Sequence, residues 1–221
     1  EGDLVVENYE VTFLSDGTLS ERYTYEVKNS GQYRMLFRYW DDMLSFERLG
    51  RPYIEFVNVK YPSGTIGYAK DYKGDVRLFG DESHSYTIDS LAYTNEVGAY
   101  NPSYFNKGKY EIEYTYILHP PIQYDSEVSH LNLKLQREHI PIKNFKIMIA
   151  KESIVKVYPH PPNLKVSEDQ NYIIITGTSP ENELLEIELL LKPEYINTIN
   201  GFPENISGVR QKTEMANLLY T

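Results

Sequence analysis

Cysteine does not occur anywhere in the 221 residues. Its absence excludes a disulfide framework, a thiolate metal site and a thiol nucleophile together. It leaves the compartment open, because a chain without cysteine suits both the cytosol and a prokaryotic surface. Positive charge is scarce as well. Twenty-two Lys and Arg against 32 Asp and Glu leave a formal net charge of −10. That balance argues against a nucleic-acid surface, which needs clustered basic residues, and against a basic patch adhering to anionic lipid. Lys143, Lys146 and Lys151 alternate with apolar neighbours as a solvated strand face does.

Long apolar runs are missing too. The richest stretch, Leu184–Leu191, is interrupted by two glutamates and falls far short of the roughly 20 residues that span a bilayer. Glu1-Gly2-Asp3 leads straight into a strand pattern, so no secretory leader is expected in this stretch, which reads as a soluble piece.

Catalytic and cofactor motifs are absent from the string. His84, His119, His130, His139 and His160 stand in no spacing that would set two ligands on one metal. Asp71, Asp75, Asp81 and Glu82 crowd one loop-rich region and Asp41-Asp42 form a second acid pair. Neither has the Asp-x-Asp-x-Asp-Gly order of a calcium loop. Gly177-Thr178-Ser179-Pro180 lacks the second glycine of a nucleophile elbow. Without a Walker-type loop or Gly-x-Gly-x-x-Gly, a nucleotide has no seat. The expectation is no catalytic residue, no metal and no cofactor.

What the chain does have is alternation. In residues 11–27, VTFLSDGTLSERYTYEV, two runs of period two flank Asp16-Gly17. A two-residue loop would set Phe13 against Ser20 and mix the faces. A three-residue loop, Ser15-Asp16-Gly17, sets Phe13 against Leu19 and Tyr9 against Tyr23, and one apolar face then continues through Tyr25 and Val27. A one-residue slip turns every side chain over, so the three-residue loop is expected, with Gly17 left-handed as a bulge.

Further strands are expected at Tyr33–Tyr39, Tyr53–Tyr61, Val76–Phe79, Ser85–Tyr93 and Lys109–Leu118. In Tyr53–Tyr61, Glu55, Val57 and Val59 fall on one side and Ile54 and Phe56 on the other. After Pro120-Pro121 come Leu131–Leu135, Phe145–Ile149, Val155–Tyr158, Tyr172–Thr176 and Leu185–Leu191. Leu131, Leu133 and Leu135 alternate with polar residues, so the period is that of a strand despite helix-forming composition. Strands at short spacing with Gly, Pro and Asn turns predict an all-β, antiparallel β-sandwich protein, as two tandem immunoglobulin-like sandwiches. The boundaries expected are 1–119 for a larger sandwich and 120–192 for a smaller one. Pairing across residue 120, giving one continuous β domain, is the competing arrangement. Residues 193–221 read as a linker or stalk, with Thr213–Tyr220 as a short helix.

Tyrosine is the most unusual feature, with 21 against 8 Phe and 1 Trp. Tyrosine forms strands well and tolerates half-burial, so most are expected to be structural. Trp40, beside Tyr39 at a strand end, is expected in the core. The dense group Tyr93, Tyr100, Tyr104 and Phe105 around Asn101-Pro102 is the expected ligand-contact patch. Asn205-Ile206-Ser207 is a glycosylation sequon at Asn205.

Three stretches resemble a family of predicted membrane proteins of bacteria and archaea whose long N-terminal extracytoplasmic domain has no assigned function. Tyr9-Glu10-Val11 with Ser15-Asp16-Gly17-Thr18-Leu19-Ser20-Glu21 is similar to its opening hairpin. Tyr110-Glu111-Ile112-Glu113-Tyr114 is similar to its Tyr-x-Ile-x-Tyr strand, and His139-Ile140-Pro141-Ile142-Lys143-Asn144 to its Pro-Ile-x-Asn turn. Order and spacing agree over roughly residues 5–192. The family's Trp is replaced near Asn132-Leu133-Lys134. The resemblance implies an extracytoplasmic, cell-surface ectodomain anchored to a membrane only through a segment outside this sequence. Its partner would be a protein or a cell-envelope component, with no nucleic acid. Two other readings compete: a secreted carbohydrate-binding module with a tyrosine platform, and a hydrolase whose carboxylates lie apart in the sequence.

Overall fold

A computed structural model describes residues 2–219. The N-terminal half runs β1 (Leu4–Phe13), β2 (Thr18–Val27), β3 (Met35–Tyr39), β4 (Leu44–Ser45), β5 (Tyr53–Lys60), β6 (Ile66–Lys70), β7 (Val76–Phe79), helix α1 (Ser85–Leu91), β8 (Glu96–Tyr100) and β9 (Gly108–His119). Then follow β10 (Pro121–Tyr124), β11 (Ser129–Gln136), β12 (Ile142–Ala150), β13 (Ile154–His160), β14 (Lys165–Glu168), β15 (Tyr172–Ser179), β16 (Leu185–Leu191), β17 (Phe202–Asn205) and helix α2 (Val209–Leu218).

The first hairpin has the expected register. Phe13 pairs with Leu19 and Tyr9 with Tyr23, and Gly17 sits at φ 91°. Asp16 locks the turn by accepting from the Thr18 N–H at 2.9 Å. β2 then pairs with β9, setting Tyr23 against Ile112 and Tyr25 against Tyr110. One face of this three-strand centre is apolar and buried, while the other is charged. On the charged face Arg22 lies 3.3 Å from Glu10 and 3.4 Å from Glu111. Each fully buried large side chain on the inner face contributes about 1.5–3 kcal/mol over exposure.

The strands do not divide into two successive sandwiches at residues 119–120. An eight-stranded sheet runs β14-β15-β12-β1-β2-β9-β5-β4, taking strands from both expected units. Its join is a parallel pairing of β1 with β12, Val11 opposite Ile147, where antiparallel strands were expected. β4 with β5 and β10 with β17 are parallel as well. Two smaller sheets, β13-β16-β11-β10-β17 and β3-β8-β6-β7, share a single core with the long sheet's inner face. Leu133 and Ile187 enter it from one and Leu36 and Val97 from the other. The all-β architecture therefore stands, as layered sheets joined by one core.

Three local expectations are corrected. Ser85–Tyr93 is not a strand: Ser85–Leu91 is a helix. Ile88 and Ala92, four apart, face the outer side of β6 and β8 beside Ile66, Tyr68 and Tyr100, and that burial outweighs the strand preference of Tyr86, Thr87 and Ile88. In β5 a bulge between Phe56 and Asn58 leaves Val57 exposed and turns Val59 into the core beside Ile54 and Phe56. Residues 193–219 are not a stalk. β17 pairs with β10, and Val209, Thr213 and Asn217 of α2 are buried. The expected helix at 213–220 is present from Val209, and Tyr220 lies outside the described residues.

Candidate functional site

The three sheets meet over one buried ion pair. Glu21 lies on the inner face of β2, in register with Val11 and Tyr114, where alternation delivers a carboxylate into an apolar layer. Arg38 of β3 answers it, Nη2 donating to Glu21 Oε2 at 2.7 Å with the two side chains 4% and 0% exposed. The same Nη2 donates to the Leu135 carbonyl of β11 at 2.6 Å, and Nη1 donates to the Tyr39 carbonyl at 3.1 Å. The Tyr9 hydroxyl donates to Glu21 Oε2, and Gln136 Nε2 donates to the Tyr23 hydroxyl at 2.6 Å. Trp40 covers the guanidinium 3.4 Å from its ring centroid. Burial lowers the Arg38 pKa most, but the charge of Glu21 together with the neighbouring Tyr23, Tyr9 and Tyr116 outweighs it and holds the guanidinium well above its ordinary range. Burial lifts the Tyr9 and Tyr23 hydroxyls above theirs.

A cleft opens above this pair, between β3 and the β11–β12 connection. Its cavity of about 230 Å³ has Tyr23, Tyr25, Arg38 and Gln136 among its lining residues, with Leu4 and Ile142 as apolar walls. One wall is rigid. The His139 N–H donates to Asn182 Oδ1 at 3.0 Å, the Asn182 N–H donates to the His139 carbonyl at 3.0 Å, and the His139 ring lies between the Ile140 and Glu183 carbonyls at 2.7 and 2.8 Å.

The mouth is aromatic and acidic. Alternation along β3 sends Leu36 and Arg38 inward and Phe37 and Tyr39 outward. Phe37 stacks on Tyr39 at 6.4 Å between centroids, and Tyr39 meets Tyr93 at 6.3 Å. Phe37 is 37% and Tyr93 68% exposed. The Tyr39 hydroxyl donates to Glu138 Oε2 at 2.6 Å. Burial and that bond to a carboxylate push its pKa up to about 12. Glu138 and Glu181 line the same cleft.

Of the expected patch, only Tyr93 meets this aromatic row, packing on Tyr39 beside the cleft without lining it. Tyr100 and Phe105 are core side chains, 3% and 0% exposed, and present no ligand face. Tyr104 is exposed at φ 65° and carries Arg34 over its ring at 5.5 Å, without a ring contact to Tyr93. Asn205 is exposed at the end of β17. Phe37, Tyr39 and Glu138 were missed. The outward period of YRMLFRY carried part of that signal, but Glu138 is 99 residues from Tyr39 and no local pattern links them.

Elsewhere, two of the clustered acids, Asp71 and Asp81, form turns. Asp71 Oδ1 accepts from the Lys73 and Asp75 N–H groups at 3.0 and 2.8 Å, and Asp81 Oδ1 accepts from the Ser83 N–H. Glu96, buried beneath α1, accepts from the Tyr68 hydroxyl and the Tyr93 N–H, and burial pushes its pKa up to about 7. On the five-stranded sheet His130 Nε2 and His160 Nε2 lie 3.1 and 2.6 Å from Glu188, and Asn217 Nδ2 of α2 donates to it at 2.9 Å. The His130 bond, reinforced by His160 and Asn217 against the effect of burial, holds Glu188 down at about 2. Among the described residues, no group of three or more His, Cys, Asp or Glu is placed to hold a metal ion. Among them too, no helix is long and apolar enough to cross a membrane.

A family model described as the N-terminal domain of a predicted membrane protein, DUF2207, matches residues 5–191. No curated protein matches the chain. Among solved structures, an M1 zinc metallopeptidase from Deinococcus radiodurans is 10% identical with a TM-score of 0.42, over 85% of this chain and 42% of that one. Yeast LTA4 hydrolase in complex with bestatin is 9% identical with a TM-score of 0.46, over 85% and 28%. Legionella pneumophila aminopeptidase A in complex with aspartic acid is 10% identical with a TM-score of 0.45, over 87% and 22%. This chain spans less than half the length of each, and at that level no chemistry passes from them to it.

Proposed function

The chain belongs to the DUF2207 family of predicted membrane proteins, as their N-terminal domain, and on that premise we propose that it is an extracytoplasmic, cell-surface ectodomain. It works by contact with a protein or envelope component and not by catalysis. The observation that supports this reading most is the aromatic row of exposed Phe37, half-buried Tyr39 and exposed Tyr93, whose first two rings line a cleft with a hydrogen-bonded wall. Exposed aromatic side chains beside a preformed recess are what contact surfaces concentrate.

Protease shaving of intact cells expressing the full-length protein tests the location. Release of the domain while the remainder stays with the membrane supports it, and protection of the domain in intact cells overturns it. A photo-crosslinking amino acid at position 93 tests the contact. A cross-linked product in cells, lost when the probe is moved to exposed position 127, supports it, and identical products from both positions overturn it.

The same rings favour a second reading. Phe37 and Tyr39, stacked at an interplanar angle of 24°, offer apolar faces on which a sugar ring could lie. Retention on a polysaccharide, lost in Tyr93→Ala, would establish that reading, and no retention on any glycan tested would end it.

A further inference from the structure

We infer that the cleft between β3 and the β11–β12 connection receives a basic side chain, a lysine ammonium or an arginine guanidinium, presented by a partner protein. The inference rests on the contact reading above and adds the chemistry of what is contacted.

Charge carries it first. Glu138 and Glu181 both line the cleft, and among the described residues neither has a cation paired with it. The basic groups nearby are already engaged: Arg137 Nη1 faces Asp41 Oδ2 at 3.4 Å, and Arg38 is neutralised by Glu21. His139, which also lines the cleft, turns its ring nitrogens to the Ile140 and Glu183 carbonyls, so the mouth keeps two carboxylates without an ion pair among the described residues. A neutral ligand would leave them so, and an anionic one would be repelled.

The rings carry it second. Phe37 and Tyr39 line the cleft with those carboxylates, Tyr93 packs on Tyr39, and aromatic faces attract organic cations through their quadrupole. The Tyr39 hydroxyl is held by Glu138, which sets the ring's position before anything binds. Rings and carboxylates together suit an ammonium or guanidinium on an apolar stem, since the stem can lie on Phe37 while the charge reaches Glu138 or Glu181.

The strand edge carries it third. The Phe37 carbonyl accepts from the Tyr25 hydroxyl at 3.0 Å and the Tyr39 carbonyl accepts from Arg38 Nη1 at 3.1 Å. Two acceptors of this strand edge are thus engaged within the fold, which weakens β3 as a template for an added strand. The charges and rings of the cleft suit a side chain entering it instead.

The test is an NMR titration of the whole chain with three capped pentapeptides that differ only at the centre: lysine, arginine and the uncharged isostere norleucine. Saturable shifts of the Phe37, Tyr39 and Tyr93 ring signals are expected with the first two and not with the third. Glu138→Gln together with Glu181→Gln, and separately Tyr93→Ala, should each weaken binding about tenfold. Glu127→Gln, an acid outside the cleft, should not. These positions are exposed, so the variants keep the fold. Equal response to norleucine, or weakening that is the same for Glu127→Gln, overturns the inference, because binding would then follow apolar contact or the overall acidity of the chain. Response to an oligosaccharide alone also overturns it, in favour of the sugar reading. If the peptides fail while the photo-crosslink from position 93 persists, the cleft contacts another chemistry and only this inference falls. If both fail, the contact reading falls too.

Discussion

Removing the Arg38 guanidinium alone should destabilise the protein about as much as removing the whole Arg38–Glu21 pair. Arg38→Met leaves Glu21 fully buried, its Oε2 holding only the Tyr9 hydroxyl and its Oε1 without a partner. Breaking one side of a buried, hydrogen-bonded ion pair costs about 3–5 kcal/mol, because the remaining charge is uncompensated. Glu21→Leu strands the guanidinium in the same way and should cost about as much. The double variant has no stranded charge. It loses the hydrogen bonds to Tyr9, the Leu135 carbonyl and the Tyr39 carbonyl, each worth about 1 kcal/mol, and regains part of that through apolar packing. Its cost should match a single variant, not the sum of about 6–10 kcal/mol. Urea denaturation reads this directly. With a slope of about 3 kcal/mol per molar for a chain of this size, each single variant should lose about 1–1.7 M of midpoint and the double variant no more. If the double variant is additive to within about 0.5 kcal/mol, the pair does not act as a unit and the reasoning fails.

Glu96 gives the opposite pH behaviour to Glu188. With a folded pKa raised to about 7 against an unfolded value of about 4.3, the stability it contributes is fully present below about pH 4.3 and is lost as pH rises through 7. Glu96→Gln should therefore stabilise the protein by about 2–3 kcal/mol at pH 8 and leave it nearly unchanged at pH 4. Urea midpoints at the two pH values decide it, and parallel shifts at both would refute it. Glu188, depressed to about 2, contributes stability above its unfolded pKa that disappears as pH falls towards 2. Glu188→Gln should cost about 1–2 kcal/mol at pH 7, after allowance for partial solvent screening, and nothing near pH 2. Hydrogen exchange in α2 should speed up with it, since Asn217 is tied to that carboxylate; unchanged α2 protection would contradict the tie. Gly98→Ala should destabilise by about 1–3 kcal/mol, because its Cβ would lie 2.5 Å from the Leu36 carbonyl oxygen and 2.8 Å from Phe37 Cβ. Ring signals of Phe37 should shift in that variant, and an unperturbed Phe37 with native stability would refute the packing argument.

The parts of the fold that were legible in the sequence are those whose pairing is local. Phe13 against Leu19 follows from a three-residue turn and one apolar face, and Leu185, Ile187, Leu189 and Leu191 share a buried face as their period requires. Legibility stopped where a residue's environment came from far along the chain. Val59 turned inward because a bulge at Val57 shifted the period, and Ile88 settled on a helix because β6 and β8 offered it a surface. β8 itself went unread: in EVGAY a buried glutamate and a glycine break the alternation that marks a strand. Tyr100 and Phe105 looked like loop aromatics next to Asn101-Pro102, yet both are core. The candidate site was less legible still, since Tyr39 and Glu138 meet only through the approach of β3 to β11.

The sequence by itself determined that this is an all-β chain without cysteine, that its first hairpin has one register, and that it resembles the N-terminal domain of a family of predicted membrane proteins. Alternation and turn chemistry act over a few residues, so they survive in a linear string. Only the tertiary structure decided that β1 lies beside β12, that Glu21 has Arg38 as its counter-ion, and that Tyr93 rather than Tyr100 packs on Tyr39 beside a cleft. Those outcomes depend on which strands become neighbours, and that choice is made by the closure of one shared core across three sheets.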